Sequence, residues 1–310
     1  MESTTLAVSA ADGTSLHTFR WLPDAPPRAI VQIAHGMAEH AARYERFAEA
    51  LTGAGYAVYA NDHRGHGGTA SAADHGYFAD HDGFNTVVTD MSTVSEFAQA
   101  EHPGVPLVLF GHSMGSFLSR AYAAQHGARL AALVLSGTGG DPGPLAAVGK
   151  RVAGVQARLR GRRHRSGLMD KLTFGQFNAT FKPNRTDFDW LSRDESEVDK
   201  YIADPMCGNV FSAAFYADLL GGLQQINGRA AFAAVPRDLP ILVLSGSLDP
   251  VGDSAKGPRE VAGKYRSAGV TDVTTTIYPE ARHEILNETN RDEVTADILA
   301  WLEERLPTRD

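Results

Sequence analysis

Leu107-Val108-Leu109-Phe110-Gly111-His112-Ser113-Met114-Gly115-Ser116 is the stretch on which the reading of this chain turns. Four apolar residues run into Gly-x-Ser-x-Gly, and an alanine-rich segment of helical character, Met114–Gln125, follows. Strand, sharp turn and helix in that order are the setting in which a serine is held on a strained elbow, its hydroxyl exposed above the end of a sheet. Gly111 and Gly115 leave room where the two backbones meet, and Ser113 must accept unfavourable dihedrals. By itself the pattern also fits a glycine-rich turn, so the rest of the chain is read for what Ser113 would need as a nucleophile.

Outward from the elbow, short apolar runs alternate with helical patterns. Ala29–Ala34, Ala57–Ala60, Leu107–Phe110, Leu133–Leu135 and Ile241–Leu244 read as strands buried on both faces, and Val273–Ile277 as a last strand. Helices are expected over Tyr44–Leu51, along the stripe Val87, Val88, Met91, Val94 and Ala98, and over Met114–Gln125, Ala255–Arg266 and Asp292–Leu306. Thr4–Val8 and Ser15–Trp21, flanking Asp12-Gly13, form an N-terminal hairpin. Repeated βαβ units mean an α/β fold with a mainly parallel sheet. The alternation stops between Gly137 and about Pro240. There Leu145, Val148, Val152, Val155 and Leu159 step by three and four as an amphipathic helix, and the remainder is rich in aromatic residues. A helical insertion between two core strands is expected to act as a lid. The division is 1–138 (core), 139–237 (helical cap) and 238–310 (core).

Composition excludes several function classes. The chain has 310 residues, 43% apolar and 21% charged, which suits an ordinary globular protein with a large core. A formal net charge of -8 argues against nucleic acid as a partner. The single cysteine, Cys207, leaves no intramolecular disulfide and no thiolate-rich zinc site, and it is assigned no chemistry. The first residues show neither a positive n-region nor an apolar h-region, and no apolar run approaches the ~20 residues of a membrane span. A soluble, cytoplasmic protein is expected.

A serine nucleophile needs a base, and the base needs a carboxylate to fix its tautomer. Asp249 follows the strand Ile241–Leu244 and His283 follows the strand Val273–Ile277, so both fall where the crevice of an open α/β sheet lies. The order Ser, Asp, His is that of an α/β-hydrolase. Ser113, Asp249 and His283 are therefore the candidate triad, with Asp253 and Glu280 as rivals for the acid. Two backbone donors must face the oxyanion. Met114 N–H supplies one, and Met37 N–H, in the loop His35-Gly36-Met37-Ala38-Glu39-His40, the other. His35, Gly36 and His112 are further candidates for substrate contact, as are Phe174, Phe177 and Phe181, whose spacing places them on one helix face as the wall of an acyl pocket. His35, His40, Asp62, His63 and His66 crowd together in sequence, but their spacing does not match a zinc helix; neither a metal nor a cofactor is expected.

Three motifs in order, His35-Gly36-x-x-Glu39-His40-x-x-Arg43-Tyr44, Asn61-Asp62-His63-Arg64-Gly65-His66-Gly67 and Gly111-His112-Ser113-Met114-Gly115-Ser116, resemble the monoacylglycerol lipase / lysophospholipase branch of the α/β-hydrolases. This is the group often labelled with the serine aminopeptidase domain name. Phe174-Gly175-Gln176-Phe177-Asn178 and Asp204-Pro205-Met206-Cys207-Gly208 look like its bacterial members. The resemblance spans nearly the whole chain. It implies hydrolysis of single-chain carboxylic esters without a cofactor, a helical cap over an acyl tunnel, Ser113, Asp249 and His283 as triad, and Met37 and Met114 as oxyanion donors. It does not bring peptidase activity, because the loop lacks the Gly-Gly-Pro-Gly stretch of prolyl aminopeptidases. Glycine usually stands where this chain has Ala38; if that position has φ > 0, alanine strains the loop by about 1 kcal/mol.

The expected function is a serine carboxylic ester hydrolase acting on monoacylglycerol-like esters through an acyl-enzyme. The alternatives are a lysophospholipase or other carboxylesterase (aryl or phthalate monoester, or amide), or a ligand-binding hydrolase fold without catalysis. The partner is a small ester with an apolar acyl chain. Lys150, Arg151, Arg158, Arg160, Arg162, Arg163 and Arg165, with no acid among them, add a possible peripheral contact between the lid and an anionic membrane.

Overall fold

The computed structural model describes residues 1–306. Eight strands, β1 (Glu2–Ser9), β2 (Ser15–Leu22), β3 (Ala29–Ala34), β4 (Tyr56–Asn61), β5 (Leu107–His112), β6 (Leu130–Ser136), β7 (Ile241–Gly246) and β8 (Val273–Tyr278), form one sheet in the order β1-β2-β4-β3-β5-β6-β7-β8. The N-terminal hairpin is antiparallel and β2 joins β4 antiparallel; from β4 to β8 every pairing is parallel. All residues of β3, β4, β5 and β7 are buried, which is why these segments read as continuous apolar runs.

Helices α1 (Glu45–Gly53) and α10 (Arg291–Arg305) cover one face. There Phe47, Leu51, Ile298 and Trp301 pack on Val31, Val58, Val108 and Val134. On the other face α2 (Gly83–Glu101), α3 (Met114–His126) and α9 (Lys256–Ser267) bring Val87, Met91, Leu118, Tyr122 and Val261 onto Ile30, Leu107, Leu109 and Leu133. Alternate strand residues serve alternate faces, as the two-residue pleat requires. After β4 the chain crosses back over β3 to place β5 on its far side, so the strand order reverses between β3 and β5. Ligand crevices in open α/β sheets form at such a switch, outside the carboxyl ends of the strands. The loop after β3 begins at His35, and Ser113 directly follows β5.

Between β6 and β7 lie α4 (Pro144–Arg160), α5 (Gly167–Phe174), α6 (Glu195–Ala203), α7 (Ala213–Asn227) and α8 (Arg229–Ala233), with no strand among the described residues. Helix α7 is the root of this insertion, since Phe215, Leu219 and Ile226 belong to the core packed on α2. Helix α4 forms where its periodicity predicts but faces the other way. Ala146, Ala153 and Ala157 are its buried residues, while Leu145, Val148, Val155 and Leu159 point outward, the two leucines 79% and 80% exposed. Small residues let α4 lie close on α7, and the bulky apolar stripe is left on the surface. The three phenylalanines do not share one helix either: α5 ends at Phe174, and Phe177–Phe181 is a separate 3-10 turn.

Candidate active site

The elbow has the geometry that its glycines predict. Ser113 sits at φ 53°, ψ -120°, a region that L-residues seldom occupy. Its N–H donates to Ser136 O at 2.9 Å, and its carbonyl accepts from Ser116 N–H, also 2.9 Å, at the opening of α3. A Cβ on Gly115 would lie 2.0 Å from Ala34 O, so only glycine lets α3 start this close to β3.

Asp249 and His283 come together as the strand order requires. His283 Nδ1 lies 2.9 Å from Asp249 Oδ1, with both side chains buried. The same carboxylate oxygen accepts from Val251 N–H at 2.9 Å, which fixes its orientation. Burial alone would lower the His283 pKa, but the charge and hydrogen bond of Asp249, with Glu284 and Glu39 adding, outweigh it and raise the group above the ordinary histidine value. The rivals lie elsewhere: Asp253 and Glu280 are exposed and paired at the surface with Lys256 and Arg193. The imidazole packs against His112 and Trp190, with ring centroids 4.7 Å and 5.1 Å away. Burial first, and then the neighbouring His283, push His112 down to about 4, so it stays neutral beside His283. At Gly137 a Cβ would approach the His283 ring to 3.0 Å, so glycine keeps that flank open for the imidazole.

The loop after β3 is held from three sides. Gly36 N–H donates to Glu39 Oε1 at 2.5 Å, and Tyr44 hydroxyl donates to the same oxygen at 2.8 Å. Burial would raise the Glu39 pKa, but Arg43, His112, His35 and the Gly36 N–H outweigh it and hold the carboxylate ionised. Arg43 bridges Glu39, at 2.6 Å, to Glu284, which it grips with two bonds of 2.7 Å. That bridge ties the loop to the residue after His283. From the insertion, Tyr201 hydroxyl donates to Ala38 O at 2.8 Å and Gly208 N–H donates to it at 3.0 Å. Ala38 has φ 59°, so the alanine does occupy the left-handed region, at a strain of about 1 kcal/mol.

A cleft of about 90 Å³ is lined by Ser113, His283, His112, Gly36, Met37, Phe174, Phe188, Trp190, Leu191 and the polar residues Glu39, Asp170, Tyr201, Asn209 and Glu284. Of the phenylalanines singled out by spacing, Phe174 reaches it. Phe177 packs behind on Trp190 at 4.9 Å, and Phe181 lies under the Arg282 guanidinium at 4.3 Å. His35 also stays behind the loop, fully buried against His63 and His66. Met114 is buried at the first turn of α3, and Met37 forms part of the cleft wall. Sequence spacing did not pick out Trp190, Tyr201 or Glu284 for the site. The one local signal was Glu284 directly following the candidate base.

Residues 25–290 match the family model described as serine aminopeptidase, S33. The chain belongs to that family of hydrolases. It is 34% identical to a monoacylglycerol lipase of Mycolicibacterium smegmatis over 282 residues, 91% of this chain and 90% of the relative. It is 31% identical to monoglyceride lipase of Mus musculus over 96% of this chain and 89% of the relative. Among solved structures, a thermostable carboxyl esterase from Bacillus coagulans, in complex with glycerol, superposes with a TM-score of 0.92 at 30% identity, covering 99% of this chain and 100% of that one. The chain has the α/β-hydrolase fold and is a hydrolase.

Proposed function

We propose that this protein hydrolyses monoacylglycerol-like carboxylic esters, with Ser113 as nucleophile, His283 as general base and then acid, Asp249 as the carboxylate that fixes the imidazole, and Met37 and Met114 N–H as oxyanion donors. The observation that carries the reading is the 2.9 Å bond between Asp249 and His283 Nδ1, made behind the wall of the cleft that His283 and Ser113 both line. With Nδ1 committed to Asp249, Nε2 is the free nitrogen. It takes the Ser113 proton as Oγ forms its bond to the ester carbon, and the carbonyl oxygen becomes the oxyanion. The carbon–oxygen bond to the alcohol then breaks, and His283 gives the proton to the departing alkoxide. Water, deprotonated by the same nitrogen, attacks the acyl-serine, and breakdown of the second tetrahedral intermediate frees the carboxylic acid and Ser113.

The cleft wall supports a single-chain substrate with a small neutral head. Phe174, Phe188, Trp190 and Leu191 offer an apolar surface for the acyl chain, and Asp170 and Asn209 are polar side chains of the same wall that can meet an uncharged polyol. The test is labelling by a fluorophosphonate probe of wild type against Ser113→Ala: the wild type labels and the variant does not. A folded wild type that fails to label would sink the proposal.

The insertion acts as a cap that touches the lipid surface. Leu145, Val148, Val155 and Leu159 on α4, with Leu168 and Leu172 on α5, expose bulky apolar side chains, and the seven basic residues from Lys150 to Arg165 are exposed beside them. Helix α5 ends on Phe174 in the cleft wall, so the exposed apolar surface leads to the site. Apolar anchors beside cations are what an anionic bilayer binds. Among the described residues no helix is long and apolar enough to cross a membrane. Co-sedimentation with vesicles should rise with their content of anionic lipid; indifference to that content would remove the membrane contact.

A further inference from the structure

His35 is fully buried behind the oxyanion loop, and both its ring nitrogens are engaged. Nε2 accepts the His63 backbone N–H at 2.9 Å, so Nε2 carries no proton and Nδ1 does. Nδ1 lies 2.7 Å from the carbonyl oxygen of Gly36 and donates to it. That carbonyl and the Met37 N–H belong to one peptide unit. In a planar trans peptide the C=O and N–H point in opposite directions, and among the described residues only Lys182-Pro183 is cis. A donor that fixes the Gly36 oxygen on the buried side therefore turns the Met37 N–H to the opposite side, where Met37 lines the cleft beside Ser113. A hydrogen bond accepted by the carbonyl of an amide also polarises its N–H and makes it a stronger donor. Burial pushes the His35 pKa down, so the ring stays neutral, with one donor and one acceptor.

We infer that His35 is the positioning residue of the oxyanion hole: through Nδ1 it holds the Gly36 carbonyl and thereby aims and polarises the Met37 N–H. The inference rests on the proposed role of Met37 as an oxyanion donor. His35 touches no reacting atom; it acts by keeping one peptide plane from rotating, which would otherwise be a reorganisation made during the reaction.

Two isosteric replacements separate aiming from packing. His35→Asn places an amide nitrogen near the Nδ1 position and keeps a donor for Gly36 O. His35→Gln places its amide near Nε2 and keeps an acceptor for His63 N–H but no donor for Gly36 O. His35→Gln is expected to lower kcat about 10- to 100-fold with KM within about twofold of wild type, and to weaken a trifluoromethyl ketone, which forms a tetrahedral adduct, in proportion. His35→Asn should retain several-fold more kcat than His35→Gln. The loss should be the same on a p-nitrophenyl ester as on a monoacylglycerol, since no head group is involved. His35→Gln equal to or better than His35→Asn would overturn the inference, as would a loss confined to KM. A measurement on the wild-type protein stands even if the variants do not fold. The nitrogen-15 shifts of His35 should report a protonated Nδ1 and a bare Nε2, and the reverse tautomer would overturn the inference. Ser113→Ala keeps the two readings apart: if it retains turnover the hydrolase mechanism fails, whereas an inactive Ser113→Ala with an unaffected His35→Gln removes only the role of His35.

Discussion

The orientation of α4 is open to a direct test, because an amphipathic stripe is ordinarily a core stripe. Consider the double substitution Leu145→Gln, Leu159→Gln. Glutamine matches leucine in helix propensity, so the helix itself is little changed. The two leucines are 79% and 80% exposed, so only about a fifth of each side chain leaves water on folding. With about 2–3 kcal/mol for full burial of a leucine, each contributes about 0.5 kcal/mol, and the pair about 1 kcal/mol. Had the stripe faced the core, the same pair would cost 4 kcal/mol or more at about 2–5 kcal/mol per site. Urea unfolding separates the two cases, and a loss above about 3 kcal/mol would refute the orientation. The same variant tests what the stripe is for. On insertion into a bilayer each leucine would bury up to about 2 kcal/mol, so partition onto anionic vesicles should fall by one to three orders of magnitude while activity on a soluble short-chain ester is kept. A variant that binds vesicles as well as wild type would show that the leucines are not the anchor.

Three further outcomes are expected. Because the His283 pKa is raised and the base must be neutral to accept the serine proton, kcat/KM should fall as pH drops through an apparent value above about 6.5; a plateau extending below pH 6 would contradict the raised pKa. Stability should also fall in mild acid. Burial depresses the pKa of His35, His63, His66 and His112 in the folded chain, so below the unfolded value of about 6.5 the unfolded state takes up protons that the folded state refuses. Each adds a slope of up to about 1.4 kcal/mol per pH unit below about 6.5, whereas His283, shifted the other way, gains its stability as pH falls toward that value and adds no slope below it; a urea midpoint unchanged between pH 7 and 5 would oppose this. Ala38→Gly should be nearly neutral in stability. Relief of about 1 kcal/mol of left-handed strain is offset by a lost buried methyl of about 0.8 kcal/mol and by greater freedom of the unfolded chain. A loss beyond about 2 kcal/mol by thermal or urea unfolding would mean that the Ala38 methyl is a packing contact rather than a strained one.

What could be read in the sequence depended on whether a residue's position is set by its own neighbours or by distant ones. β3, β5 and β7 were legible because a strand buried on both faces must be apolar throughout, and the candidate triad was legible because Ser113, Asp249 and His283 each follow such a strand. The left-handed turn at Ala38 was flagged because glycine is the expected residue there. The direction of α4 was not legible. A stripe of leucine and valine and a row of Ala146, Ala153 and Ala157 are both apolar at helical spacing, and only the proximity of α7 decides that the small side chains face inward. Trp190, Tyr201 and Glu284 were missed for a related reason. Trp190 and Tyr201 reach the cleft from the insertion, whose path over the sheet has no local signature, and Glu284 is placed by Arg43, 241 residues earlier in the chain. His35 shows the same limit at close range. It stands in the motif that marks the oxyanion loop, which invites placing it against substrate. Its ring turns away because His63 N–H, in the loop after β4, offers Nε2 a donor and leaves Nδ1 for the Gly36 carbonyl. The motif marks the residue, and the tautomer imposed by its buried partner assigns the work.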